Sequence, residues 1–164
     1  LTSFVNKFRD ISKIPKPNFQ TVQVTDLFYR IRLLTGQLIT SSEIQLTVTV
    51  VPENMEIIVD PDLIEQVLIN LIINSAHALR NTNDGKIQLN AEINERGRAI
   101  IKVIDNGCGI SDEVKDKVFV PFFTTKQEGS GIGLSISQNI IRAHQGSLWV
   151  ESQPNVSTTF AFRI

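Results

Sequence analysis

Residues 66–79, QVLINLIINSAHAL, decide the fold of this chain. At about 100° per residue, the polar side chains fall within one sector of about 80° on a helix: Gln66, Asn70, Asn74 and His77. Leu, Ile, Val and Ala occupy most of the remaining circumference, so we expect the helix to be buried on nearly all sides. Either the side chains of this polar stripe form hydrogen bonds within the protein or face solvent, or they face a ligand. In the second interpretation an amide oxygen would suit Mg²⁺, which prefers oxygen donors.

The residues around this helix predict its start and its end. Asp60-Pro61-Asp62 is a helix-start signal, in which Asp60 caps the helix and Pro61 occupies its first turn. The Asn-Asp-Gly sequence at 83–85 predicts a turn. We therefore expect the helix to run from Pro61 to Arg80.

Two more long helices are predicted from apolar residues at helical spacing. One begins at Thr25 or Asp26 and runs to about Ser41, with these residues facing inward: Leu27, Phe28, Ile31, Leu34 and Leu38. The other covers Leu134–His144 and ends at Gly146. Alternating or apolar runs predict strands at Phe19–Val24, Ile44–Val51, Met55–Val59, Lys86–Asn94, Ala99–Asp105, Leu148–Ser152 and Thr158–Ile164.

The order of these elements predicts an α/β fold of the two-layer sandwich type. Strands follow one another in antiparallel-looking pairs, with about three long helices between them. We expect a mixed, mainly antiparallel sheet covered on one face by those helices. The strict strand–helix alternation of a doubly wound fold is absent from the sequence.

Composition limits the classes of function. The 164 residues suit one domain with a core of useful size. The net charge is −1, from 16 basic and 17 acidic residues, so a nucleic-acid-binding face is not indicated. A single cysteine, Cys108, excludes an intrachain disulfide framework and a multi-cysteine zinc site, and it fits a reducing cytosol. No apolar run reaches the roughly 18–20 residues that a membrane span needs, and no signal peptide is recognisable.

Two glycine motifs could approach a ligand closely. In the first, an apolar strand runs into Asp105, and Gly107 and Gly109 follow it. Glycine lets the backbone approach a flat ligand, and a carboxylate can accept from an exocyclic amine, although an ordinary turn would have the same pattern. The second, Gly129-Ser-Gly131-Ile-Gly133, opens a helix whose free N–H groups and dipole favour phosphate. It is neither a Walker A loop nor a compact Rossmann fingerprint.

Residues 118–126, VFVPFFTTK, lie between the two glycine motifs. They join an aromatic cluster to a polar, glycine-containing stretch. That composition suits a mobile lid on a hydrophobic base. The alternative is that the phenylalanines only fill the core.

Together and in this order, the motifs resemble the GHKL ATP-binding superfamily, and within it the catalytic domain of sensor histidine kinases of two-component systems. Residues 66–79 are similar to the asparagine box of that family and Asp105–Gly109 to its first glycine box. Phe119–Phe123 resemble the phenylalanine box and Gly129–Gly133 the second glycine box. The resemblance covers residues 18–164 and implies the Bergerat-type ATP-binding sandwich. Residues 1–17 resemble the end of the dimerisation and phosphotransfer hairpin plus a linker, so a segment of a longer protein is expected.

The resemblance implies a site for ATP and Mg²⁺. Asn74 would coordinate Mg²⁺, Asn70 would face the same phosphate region, and both would therefore be catalytic. Asp105 would accept from the adenine amino group, which favours ATP over GTP. Residues 127–131 would be the most mobile part of the lid. The other implied nucleotide contacts are His77, Gly107, Gly109, Lys126, Gly129, Gly131, Gly133, Leu134 and Thr158. Near Thr158 the sequence departs from the family, because Ser157 stands where glycine is common.

One residue separates kinases from hydrolases in this superfamily. The hydrolases carry Glu where Asn70 stands, and that carboxylate deprotonates the attacking water. An amide cannot act as a base, so Asn70 favours transfer of the γ-phosphoryl group to an outside nucleophile. Neither His77 nor His144 is followed by an acidic residue, as the phosphoaccepting histidine of the family is. We expect the acceptor on a separate hairpin, and His144 to cap a helix C-terminus as a cation.

The resemblance also implies partners. These are the dimerisation and phosphotransfer hairpin of the same kinase and, indirectly, a response regulator, with no nucleic acid. The parent is expected to be a homodimer and this segment a monomer that binds nucleotide without phosphorylating itself. A cytoplasmic domain is expected, and a parent anchored in the inner membrane is compatible with it. Two rival functions stay open: an ATP-hydrolysing conformational switch, and a degenerate module that serves only for interaction.

Overall fold

The computed structural model describes residues 14–125 and 129–164. Helices and strands follow one another in the order that the sequence predicts. They are β1 (Gln20–Gln23), α1 (Val24–Ser41), β2 (Gln45–Val51), β3 (Glu56–Val59), α2 (Pro61–Ala78), β4 (Lys86–Ile93), β5 (Ala99–Asp105), α3 (Asp112–Lys115), α4 (Gly133–Ala143), β6 (Ser147–Gln153) and β7 (Ser157–Arg163). The predicted hairpin end and linker at 1–17 lie mostly outside the described residues.

The main sheet has five strands in the order β2-β4-β5-β7-β6. The β2–β4 pair is parallel, and the other three pairs are antiparallel. Strands β1 and β3 form a separate antiparallel pair. The predicted mixed, mainly antiparallel sheet is therefore confirmed, and the division into two sheets is new.

The three long helices lie on one face of the main sheet. α2 contacts α1, α4, β4 and β5, so it forms the centre of the helical layer. Alternate residues of β5 and β7 face this layer and are buried: Ile101, Val103, Phe160 and Phe162. α2 buries half of its residues, and Asp62, Gln66 and Ile73 are exposed, so the predicted burial on nearly all sides is confirmed only in part.

Asp60 caps α2 as predicted. Its carboxylate accepts hydrogen bonds from the backbone N–H groups of Asp62 and Leu63, at 3.1 Å each, and from that of Asn18 at 2.8 Å. Burial raises the pKa of Asp60, but the hydrogen bonds from these three N–H groups outweigh it. The pKa therefore lies below its ordinary value of 3.8.

His144 caps the C-terminus of α4 as predicted, but the hydrogen bonds to its ring are those of a neutral imidazole rather than a cation. The ring is buried. The backbone N–H of Asp60 donates to Nε2 at 3.0 Å, so Nε2 carries a lone pair and no proton. Nδ1 lies 2.8 Å from the carbonyl oxygen of Ile140 and donates to it. A neutral imidazole thus joins the end of α4 to the start of α2.

Two details of the helices differ from the prediction. Leu34 is 61% exposed, and Thr35 takes the inward position, where its hydroxyl donates to the carbonyl of Ile31 at 2.8 Å. α1 begins at Val24 after Gln23, which makes no side-chain cap. The N–H of Val24 instead donates to the carbonyl of Met55 at 3.0 Å, a tertiary contact that the local sequence does not reveal. In the described part of the chain, no helix is long and apolar enough to cross a membrane.

Candidate nucleotide site

Asp105 is a buried carboxylate at the end of β5, with 2% of its surface exposed. The hydroxyl of Ser75, on α2, donates to Oδ2 at 2.8 Å. The N–H of Gly107 donates to Oδ1 at 3.0 Å. These two donors orient the carboxylate of Asp105, and a carboxylate oxygen can accept more than one hydrogen bond.

Three polar residues form a row across neighbouring strands. Asp105 stands opposite Thr158 in the β5–β7 register, and Ser152 stands opposite Thr158 in the β6–β7 register. Directly opposed residues point to the same face of a sheet. The structure therefore brings the predicted residues Asp105 and Thr158 together, on the face that carries the helices. Ser157 begins β7, and the left-handed position of the preceding turn belongs to Asn155, at a φ of 60°.

The glycines of the first motif pack against the protein itself. A Cβ on Gly107 would lie 2.8 Å from the carbonyl oxygen of Ala78, at the end of α2. Gly109 has a φ of +69°, and a Cβ there would clash with the backbone of Gln153 and Pro154. Close packing between elements thus explains both glycines, while the expected contact with a flat base stays a prediction.

The polar stripe of α2 faces the start of α4. The amide nitrogen of Asn70 donates to the hydroxyl of Ser137 at 3.0 Å. Its amide oxygen occupies the space where Gly133 would carry a Cβ. Asn74 and His77 are half-buried farther along the stripe, and Gln66 is exposed. The stripe is therefore a polar seam at Asn70, and it brings Asn70 and Gly133, two predicted site residues, into contact.

The phenylalanine motif is anchored in the core at one end. Val118 is buried, and the ring of Phe119 meets that of Phe160 edge to face at a centroid distance of 6.4 Å. Phe122 is 39% exposed, and its N–H donates to the carbonyl of Gly131 at 2.8 Å. One end of this stretch thus fills the core and the other is exposed to solvent, while the lid stays a prediction.

The remaining predicted residues have simple positions. Gly131 has a φ of +67°, and Gly129 and Leu134 are half-buried. Leu134 packs partly against the core. Lys126 lies outside the described residues, as do Gln127 and Glu128 of the predicted lid.

Two cavities open near the end of α2. One of about 440 Å³ is lined by His77, Arg80, Asn106, Gly107, Cys108 and Asn155, among others. A larger one of about 550 Å³ is lined by the α1–β2 loop and the turn before β4, and none of the predicted site residues borders it. The smaller cavity adjoins the first glycine motif, but Asp105, Asn74 and Thr158 do not line it. Within residues 14–125 and 129–164, no three His, Cys, Asp or Glu side chains are grouped to hold a metal ion.

Sequence reasoning missed three serines: Ser75, Ser137 and Ser152. Ser75 is hydrogen-bonded to Asp105 and Ser137 to Asn70, both predicted site residues. Ser152 is hydrogen-bonded to Ile110, the residue after the first glycine motif. Period-2 alternation with Leu148 and Val150 places Ser152 on the buried face of its strand, which was a usable signal. Ser75 is likewise a polar residue on the apolar side of α2.

The fold and this site define an ATPase domain. Residues 59–164 match the family model described as "Histidine kinase-, DNA gyrase B-, and HSP90-like ATPase". The chain belongs to this family, and within it to the catalytic domains of sensor histidine kinases. It is 37% identical over 152 residues to the sensor histidine kinase ZraS of Salmonella typhimurium, a match that covers 93% of this chain and 32% of ZraS. The chain thus spans about a third of the length of that relative.

Solved structures agree with this assignment. The catalytic domain of histidine kinase ThkA has a TM-score of 0.80 and 33% identity, over 90% of this chain and 95% of that one. ThkA in complex with the response regulator protein TrrA has a TM-score of 0.81 and 29% identity, over 99% of this chain and 46% of that one. Both likenesses confirm the predicted α/β sandwich.

Proposed function

We propose that this domain binds Mg-ATP and donates the γ-phosphoryl group to a histidine on a separate helical hairpin of the parent sensor kinase. The observation that carries the proposal is the buried Asp105, held by Ser75 and Gly107 beside Thr158. A buried carboxylate needs hydrogen-bond donors, and the amino group of adenine is one. Membership of an ATPase family indicates that the nucleotide is ATP.

The residues at the other end of the site suit the phosphates. The N-terminus of α4, at Gly133, lies against Asn70 on the stripe of α2, and helix N-termini favour anions. Asn74 and His77 follow on the same stripe. Mg²⁺ retains several waters and needs only one or two protein oxygens beside phosphate, so the amide of Asn74 fits it. When bound, Mg²⁺ would neutralise charge that develops on the phosphates.

Transfer is favoured over hydrolysis because of Asn70. Its amide cannot remove a proton from water, and its nitrogen already donates to Ser137. The protein would contribute placement and charge stabilisation, as a loose phosphoryl-transfer transition state requires. The solved complex of the relative ThkA with a response regulator supports a two-component role, in which the parent dimer would phosphorylate its own hairpin and then such a regulator.

Calorimetry with Mg²⁺ and a non-hydrolysable ATP analogue tests the binding step. Asn74→Ala should weaken Mg-dependent binding at least tenfold, since it removes the proposed metal ligand. Gln66→Ala is the matched control, because Gln66 is an exposed amide on the same stripe. Equal binding by both variants and the unaltered chain would show that Asn74 does not hold the metal. Absence of any Mg-dependent binding by the unaltered chain would instead favour the degenerate interaction module.

A second experiment tests the transfer step. The chain has two histidines, and His144 is buried with both ring nitrogens engaged. We expect γ-labelled ATP to leave no covalent label on the chain alone and to label an added hairpin from a sensor kinase of this type. Covalent label on the chain alone would contradict the separate acceptor. Rapid steady-state phosphate release without a hairpin would point to a hydrolase.

A further inference from the structure

Ser152, on β6, makes three polar contacts through one oxygen atom. The N–H of Ile110 donates to Oγ at 2.8 Å. The hydroxyl donates to the carbonyl of Ser157 at 2.8 Å. Oγ also lies 3.0 Å from the hydroxyl oxygen of Thr158. Ser152 therefore links the first glycine motif to the strand that carries Thr158.

The direction of the third contact follows from counting protons. A hydroxyl has one proton and two lone pairs. Ser152 gives its proton to the carbonyl of Ser157, which can only accept. Its lone pairs then accept from the N–H of Ile110 and from the hydroxyl of Thr158. The hydroxyl of Thr158 therefore donates its proton to Ser152, and the lone pairs of the Thr158 oxygen remain for other partners.

This direction sets the hydrogen-bonding character of the site. Thr158 is buried, opposite Asp105 and on the same face. An ionised carboxylate offers only acceptors, and a threonine hydroxyl whose proton is committed does the same. This end of the site therefore presents acceptors to a bound base. A 6-amino purine brings a donor to it, whereas a 6-oxo purine brings another acceptor.

We propose that Ser152 is a positioning residue that sets base specificity by holding Thr158 as an acceptor. The inference rests on the proposed nucleotide site and deepens it. Without the Ser152 oxygen, the Thr158 hydroxyl can rotate and donate to a 6-oxo group. Ser152→Ala would thus weaken the discrimination between 6-amino and 6-oxo purines as well as the affinity for the nucleotide. A purely structural loss would instead weaken binding of both bases alike.

The first glycine motif keeps other ties when Ser152 is changed. The N–H of Asn155 donates to the carbonyl of Cys108 at 2.8 Å, and Gly109 packs against Gln153 and Pro154. We therefore expect Ser152→Ala to fold. Should it not, Ser152→Cys keeps the size and replaces the hydroxyl by a weak donor and acceptor, with a change in the same direction.

The experiment is calorimetry with ADP and with inosine diphosphate, both with Mg²⁺. The ratio is the dissociation constant for inosine diphosphate divided by that for ADP. It should fall about tenfold in Ser152→Ala, a change of the size that one hydrogen bond supplies. Ser152→Thr retains the hydroxyl and should retain the ratio. Ser147→Ala is the control on the same strand, and it should also retain the ratio. An unchanged ratio in Ser152→Ala, with or without weaker binding, overturns the proposal.

A second background shows whether the effect passes through Thr158. Thr158→Val removes the hydroxyl, so adding Ser152→Ala to it should change the ratio no further. A further fall of the ratio in the double variant would contradict the inference. If the unaltered chain binds neither diphosphate, the proposed function fails, whereas discrimination that is independent of Ser152 refutes this inference alone.

Discussion

Replacing Gly107 by alanine tests the packing of the first glycine motif against α2. The added Cβ would lie 2.8 Å from the carbonyl oxygen of Ala78, 2.9 Å from its carbonyl carbon and 2.9 Å from its Cβ. These atoms belong to the last residue of the helix, two of them to its backbone, so no flexible side chain can move aside. Either the end of α2 or the motif must shift, and the N–H of Gly107 would shift away from Asp105.

The size of the effect follows from this contact. One extra carbon in a well-packed interior costs about 1–3 kcal/mol. Loss of the hydrogen bond to Asp105 adds about 1 kcal/mol. For a chain of this length each kcal/mol lowers the melting temperature by about 2–4 °C. Urea denaturation followed by circular dichroism measures the change, and calorimetry with ADP shows whether the site has moved as well.

Gly36 provides the matched control. It lies within α1, and a Cβ there would meet nothing within 4 Å. Gly36→Ala should stabilise the chain by about 0.5–1 kcal/mol, because alanine loses less backbone entropy in a helix. The same substitution thus has opposite signs at the two positions. If Gly107→Ala were as stable as the unaltered chain, the close contact with Ala78 would not be a real constraint.

Two further predictions concern charged groups. Asp60→Ala should lower the free energy of unfolding by about 1 kcal/mol through loss of the helix cap, and Asp60→Asn by less. Because the pKa of Asp60 is lowered in the folded state, its ionised form contributes stability that is lost as the pH falls below about 4. The free energy of unfolding of Asp60→Asn should therefore depend less on pH in that range. Glu65 is nearly buried and its Oε1 lies 2.8 Å from Arg30 Nε, so Arg30→Met should cost about 1–3 kcal/mol and Glu65→Gln less.

Each of these predictions has a result that would contradict it. A stability curve for Asp60→Asn that parallels the unaltered chain in acid would show that Asp60 does not cause the pH dependence. Glu65 Oε1 lacks a well-aligned hydrogen bond although the guanidinium is close, so the interaction there is chiefly attraction between charges. If Arg30→Met and Glu65→Gln lower the free energy of unfolding equally, a buried carboxylate without its cation is not the cause of the loss.

The fold was predictable where one local signal determined each element. The cap at Asp60 and the proline after it mark the start of α2, because both act within one turn of the helix. The strand Ala99–Asp105 was predicted with the same ends that the structure has. Such signals depend on neighbours in the sequence.

The site was only partly predictable, because its hydrogen bonds cross between elements. Nothing near Asp105 in the sequence indicates that Ser75, 30 residues earlier, donates to it. The neutral state of His144 likewise depends on the N–H of Asp60, 84 residues away. The residue types suggested the chemistry, and the direction of each hydrogen bond required the sheet register and the packing of α2.

The proposed distinction between transfer and hydrolysis depends on residue chemistry rather than on the fold. Asn70 contacts the first two turns of α4 through Gly133 and Ser137. A helix N-terminus favours negative charge, so a carboxylate at position 70 would be electrostatically acceptable there. The scaffold therefore does not exclude a base at this position. In the proposed function, hydrolysis is opposed because an amide cannot take a proton, and we expect one side chain at this position to decide between the two reactions.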